Sequence, residues 1–127
     1  MVSVSSVDDS GYAMVIDASG HALNADEPLS ARGNDTGSRP TDLVLSGLGA
    51  CTAITLRMYA ERKGWKLGRI RVSVDVSGEG ESRHIERRIG FSASLLPEQL
   101  SRLAEISEKT PVTRMLKSGI AIHTALG

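Results

Sequence analysis

The chain has 127 residues, 15 acidic and 15 basic side chains, and only four aromatic rings, on Tyr12, Tyr59, Trp65 and Phe91. That length suits a single domain over residues 1–127 with one modest core, and a balanced charge with so few rings argues against a stacking, basic nucleic-acid surface. The lone cysteine, Cys51, excludes an intramolecular disulfide, and no basic n-region leads into an apolar h-region, so a reducing, cytoplasmic setting is expected.

Val2 and Val4 alternate with serines, Asp8-Asp9-Ser10-Gly11 supplies turn chemistry, and Tyr12 to Asp17 resumes an apolar pattern. Ala18-Ser19-Gly20 turns again into His21-Ala22-Leu23-Asn24. Short runs joined by Gly-bearing turns predict a three-stranded antiparallel meander. The polar stretch from Glu27 to Arg39 lacks periodicity and reads as a surface loop.

A long helix is predicted from Pro40, whose missing N–H costs nothing in the first turn, with Asp42 at the positive end of the dipole. Leu43 to Leu56 contains no charge, and its apolar residues lie all round the axis, so burial on most sides is expected. The uncharged run is shorter than the ~20 residues a bilayer requires. Gly64 suits the C′ position, with Trp65 folding back on the last turn. Cys51 sits mid-helix, with the small Gly47 one turn earlier. Two readings stay open: room for a substrate beside the sulfur, or close packing at Gly47 and Gly49 around an inert, buried thiol.

Strict alternation over Arg69–Val76 and shared-face residues Ile85, Arg87, Ile89, Phe91, Ala93 and Leu95 predict a hairpin with one covered side. Arg87 interrupts that apolar face and is expected at an edge or paired with an acid. Pro97-Glu98-Gln99 opens a second helix that ends near Thr110, because Pro111 disfavours helix before it. Val112–Lys117 continues as a further turn or two, and Ile120–Leu126 reads as a final strand. The order predicts an α+β domain.

The segment Arg-Pro-Thr-Asp-Leu-Val-Leu-Ser-Gly-Leu-Gly-Ala-Cys-Thr-Ala-Ile-Thr-Leu-Arg-Met-Tyr-Ala-Glu-Arg-Lys-Gly-Trp, residues 39–65, resembles the central helix of the OsmC/Ohr family of thiol-dependent hydroperoxide reductases, within its broader OsmC-like branch. Glu108-Lys109-Thr110-Pro111-Val112 resembles that family's Cys-Pro-Val segment. The resemblance implies an OsmC-like fold, antiparallel sheets wrapped around the central helix in an intertwined homodimer with two interface sites. A second copy also fits the burial argument, since a helix apolar all round needs more cover than one chain offers.

A thiol with an ordinary pKa near ~8.5 needs a cation to become a nucleophile at neutral pH. The resemblance gives that role to an arginine before the helix, Arg39 or Arg32, held by an acid in the first turn, Asp42. The second cysteine, which would resolve the sulfenic acid, is replaced by Thr110, so an external thiol reductant is implied. Three outcomes remain open: one-cysteine reduction of a small hydroperoxide, peroxide sensing, or a non-enzymatic homodimer holding a small hydrophobic ligand. No cofactor, metal, nucleic acid or membrane partner is expected; His21, His84 and His123 lack metal-ligand spacing.

Overall fold

The computed structural model describes all 127 residues. Its elements are β1 (Val2–Ser6), β2 (Met14–Ala18), β3 (His21–Ala25), α1 (Pro40–Lys63), β4 (Ile70–Ser77), β5 (His84–Phe91), α2 (Pro97–Ser107) and α3 (Pro111–Ser118). Two antiparallel sheets, β1-β2-β3 and β4-β5, accompany the helices in the expected α+β arrangement. By its contacts the chain divides into two compact units, Met1–Leu45 and Ser46–Gly127, with the boundary inside α1.

In the first unit β2 is the central strand, its Ile16 opposite both Val4 and Leu23. Ser19 and Gly20 both take positive φ, 52° and 92°, as a two-residue turn matched to strand twist requires. Asp17 accepts the Gly20 N–H at 2.8 Å. The segment after β3 departs from the expected solvated loop. Asp26, 2% exposed, accepts the backbone N–H of Glu27, Asn34 and Thr36 and the hydroxyl of Thr36. A buried carboxylate is stable only when its oxygens are so occupied, and here the donors come from the loop itself. Gly33 is obligatory, because a Cβ there would lie 1.9 Å from the Glu27 carbonyl oxygen.

In the second unit Leu56, Ala60, Leu67 and Leu103 form the buried core, flanked by Tyr59, Trp65, Ile70, Ile89, Phe91, Leu95 and Ile106. α1 ends as predicted: Gly64 has φ 71°, Trp65 N–H reaches the Ala60 carbonyl at 2.8 Å and Gly64 N–H that of Glu61 at 3.2 Å. This closes the orphan carbonyls of the last turn, and the Trp65 ring meets Tyr59 edge-on, centroids 5.6 Å apart. The hairpin sets Ile70 opposite Phe91, Val72 opposite Ile89, Val74 opposite Arg87 and Val76 opposite Ile85. The second strand stops at Phe91, short of the Leu95 expected from alternation, and Leu95 instead packs on the core as coil. α2 is capped by the Gln99 side chain accepting the Leu96 N–H at 2.8 Å.

Within one chain α1 is buried along one stripe, Leu48, Thr52, Leu56 and Ala60, while Val44, Ile54 and Met58 are each more than half exposed; the hairpin and α2 cover a single side, as expected of one chain. Two expectations need correction. Residues 120–126 form no strand, since no edge in the chain pairs with them and a lone strand leaves its N–H and C=O groups unpaired. Taken as a whole, α1 has 24 residues with an 18-residue window of mean hydropathy 1.4 and 22% of it buried, so length and composition alone do not exclude a span.

Candidate functional site

Cys51, the only thiol, is half-buried on α1, at the edge of the stripe that carries Leu48 and Thr52. Space adjoins it. A Cβ on Gly47, one turn earlier, would meet nothing within 4 Å, and one on Gly49 would touch the Val74 side chain at an ordinary 3.5 Å. Neither glycine is forced by packing within this chain.

Thr52 hydrogen-bonds back to the Leu48 carbonyl at 2.7 Å, the usual use of a helix-interior hydroxyl. Its oxygen also accepts a hydrogen bond from Arg87 Nη1 at 2.9 Å, and the same nitrogen donates to Thr113 Oγ1 at 2.9 Å. Arg87 reaches Thr52 from the inward face of β5 and is 12% exposed, with Glu108 at 3.6 Å from Nη2. The expected acid partner is therefore present. Thr110, fully buried, caps α3: its oxygen accepts the Thr113 N–H at 3.2 Å and lies 2.7 Å from Thr113 Oγ1. Hydroxyls at 52, 113 and 110 thus connect the Cys51 turn to the position where a second cysteine was expected.

A cleft of about 370 Å³ opens beside this network, lined by Leu48, Ile85 and Leu116 with Glu86, Arg87, Glu108, Thr113 and Lys117. Glu108 also pairs with Lys117, and the Lys117 ammonium hydrogen-bonded to it, with Arg87 close by, holds its carboxyl below the usual range. No three His, Cys, Asp or Glu side chains converge as a metal-binding set.

The remaining predicted site residues belong to the first unit. Arg39 forks onto Asp42, Nε to Oδ2 at 3.2 Å and Nη2 to Oδ1 at 3.1 Å, the bidentate geometry that suits guanidinium and carboxylate. A separate depression of about 410 Å³ lies beside the pair, lined also by Pro28, Ser30, Asp35, Gly37 and Ser38. Arg32 instead ends the short turn Leu29–Ala31 with φ 70°, its backbone N–H bonded to Leu29. Of the two arginine candidates, Arg39 is the one held by the first-turn acid. Arg87, Thr52 and Thr113 were not singled out as a unit from sequence; the signal was Arg87 breaking an otherwise apolar strand face.

The profile of the family described as OsmC-like protein matches residues 33–125. Among solved structures, the chain resembles a putative osmotic stress induced and detoxification response protein from Psychrobacter arcticus at TM-score 0.76 and 16% identity, covering 89% of this chain and 85% of that one. It resembles the OsmC-like protein of Mycoplasma pneumoniae at TM-score 0.71 and 18% identity, over 94% and 87%. The organic hydroperoxide resistance protein OhrB of Bacillus subtilis gives TM-score 0.66 and 17% identity, over 94% and 92%. A search of curated proteins finds no match. With a profile match across most of its length and the same fold in each of these structures, the chain belongs to the OsmC-like protein family.

Proposed function

We propose that this protein reduces a small organic hydroperoxide with Cys51 as its single reacting thiol. The observation that carries the reading is a lone, half-buried thiol with open space at Gly47, and kinship with proteins described as organic hydroperoxide resistance proteins supports it. The Cys51 thiolate attacks the terminal peroxide oxygen, the O–O bond breaks, and the alcohol leaves with a proton while sulfur becomes a sulfenic acid. Thr110 has no thiol to condense with it. An external thiol therefore forms the mixed disulfide and releases water, and a second thiol restores Cys51 while leaving as part of a disulfide. The resemblance gives the thiolate's cation to an arginine before the helix, and Arg39 is the candidate held by Asp42; a reducing cytoplasm would supply the external thiol.

We also propose a homodimer. The exposed apolar face of α1, with Val44, Ile54 and Met58, and the unpaired tail with exposed Ile120 and Ile122 together form more apolar surface than a solvated chain leaves uncovered. A second copy is the occupant that symmetry supplies. Ile54→Glu should convert the assembly to monomer in sedimentation velocity.

A second reading, a non-enzymatic binder of a small hydrophobic molecule or a peroxide sensor, is favoured by the part-apolar cleft of about 370 Å³ beside Leu48. Hydroperoxide consumption with dithiothreitol decides between them. Turnover that vanishes in Cys51→Ser supports the enzyme; turnover retained in that variant removes Cys51 from the mechanism. Rapid Cys51 alkylation without turnover favours sensing or binding.

A further inference from the structure

Arg87 occupies a register position, opposite Val74, where the alternation of β5 calls for an apolar side chain. Placing a guanidinium there costs desolvation, so its partners have to repay it. They do so with one self-consistent arrangement of protons. Thr52 gives its hydroxyl proton to the Leu48 carbonyl and so accepts from Arg87. Thr113 gives its proton to the Ser107 carbonyl at 3.1 Å and accepts both from Arg87 and from the Thr110 hydroxyl. Thr110, having donated, accepts the Thr113 N–H. No buried side-chain polar atom is left over.

The charged groups facing this cleft are Glu86 and Arg87 from β5, Glu108 between α2 and α3, and Lys117 from α3. Glu86 is paired with His84 and Glu108 with Lys117, while the distance from Glu108 to Arg87 is 3.6 Å and runs to Nη2. Nη1, hydrogen-bonded to Thr52 and Thr113, is the nitrogen that meets α1.

We propose that Arg87 is a positioning residue for Cys51: it ties the α1 turn bearing the thiol to the start of α3 and holds positive charge against that turn. Its consequence for turnover rests on the hydroperoxide reading above; its consequence for the thiol itself does not. The test is alkylation of Cys51 by iodoacetamide from pH 5 to 9 in the intact protein, with circular dichroism and hydroperoxide turnover measured in parallel. Arg87→Met should move the labelling profile to higher pH and slow labelling at neutral pH about three- to tenfold, as loss of a nearby cation does. Arg87→Lys should recover most of that loss. Thr113→Val, which keeps the charge and cuts only the tie to α3, should leave the profile's midpoint in place. A folded Arg87→Met protein with a profile superimposable on the parent overturns the proposal. If that variant does not fold, Thr52→Val gives the same shift in smaller measure, and an unmoved profile there overturns it equally. A parent protein without turnover whose profile still moves in Arg87→Met would remove the reductase reading and leave Arg87 in its role.

Discussion

Each of the two units ties down one ion, Asp26 buried and Arg87 mostly covered, and the two are satisfied in opposite ways. Asp26 collects four donors from residues within ten positions of itself. Arg87 collects hydroxyls from Thr52 and Thr113, 35 and 26 positions away. The first is turn chemistry enlarged: a short acid captures nearby amides and folds its own loop. The second exists only after a helix, a hairpin and a third element have met. Local ion sites order a segment; remote ones fasten segments together.

The strongest way to break that contrast is to empty the core on which the remote site depends. Leu56→Ala should cost about 3 kcal/mol by chemical denaturation, as loss of a fully buried leucine does. A cost below about 1 kcal/mol would mean the site stands without that core. Next comes acid. The Thr36 hydroxyl, then the Thr36 amide, hold the Asp26 carboxyl below its ordinary 3.8. Its stabilisation is therefore complete above that ordinary value and is lost as pH falls through the lower folded one. Asp26→Asn should abolish this acid-dependent loss, read by amide exchange in residues 27–36; identical acid profiles in the two proteins would refute it.

Smaller still, Thr110→Ala should cost about 1 kcal/mol through loss of the α3 cap. Thr110→Cys sharpens the same point: mild peroxide should close a disulfide with Cys51, and failure to do so would show that the hydroxyl network does not bring them within bonding reach. The smallest effect belongs to His84, exposed on β5. The Ser82 carbonyl, then Glu86, raise its pKa above 6.5. Its contribution is full below 6.5 and fades as pH rises through the folded value, which an imidazole titration by NMR checks.

The meander, the central helix with its Gly64 ending, the hairpin and the helix break before Pro111 were legible because each depends on a period or a turn residue within a few positions. Arg39 with Asp42 came from the family resemblance, which left Arg32 open beside it; the fork from Arg39 to Asp42 was seen only in the structure. Asp26 was overlooked because a single acid beside a polar loop carries no periodic signal. The tail from Ile120 to Leu126 has strand alternation, yet alternation states which face a strand would present and not whether an edge awaits it.

Sequence by itself determined the elements, the uncharged helix around a sole thiol, and the family pattern, because local sterics and spacing act wherever the chain is. Tertiary structure decided that α1 buries only one stripe, that Arg87 lies inside among threonines, and that Thr110 serves as a cap. Those outcomes depend on which distant groups share a low-dielectric space, and pairing energies there arise only once the chain has closed around them.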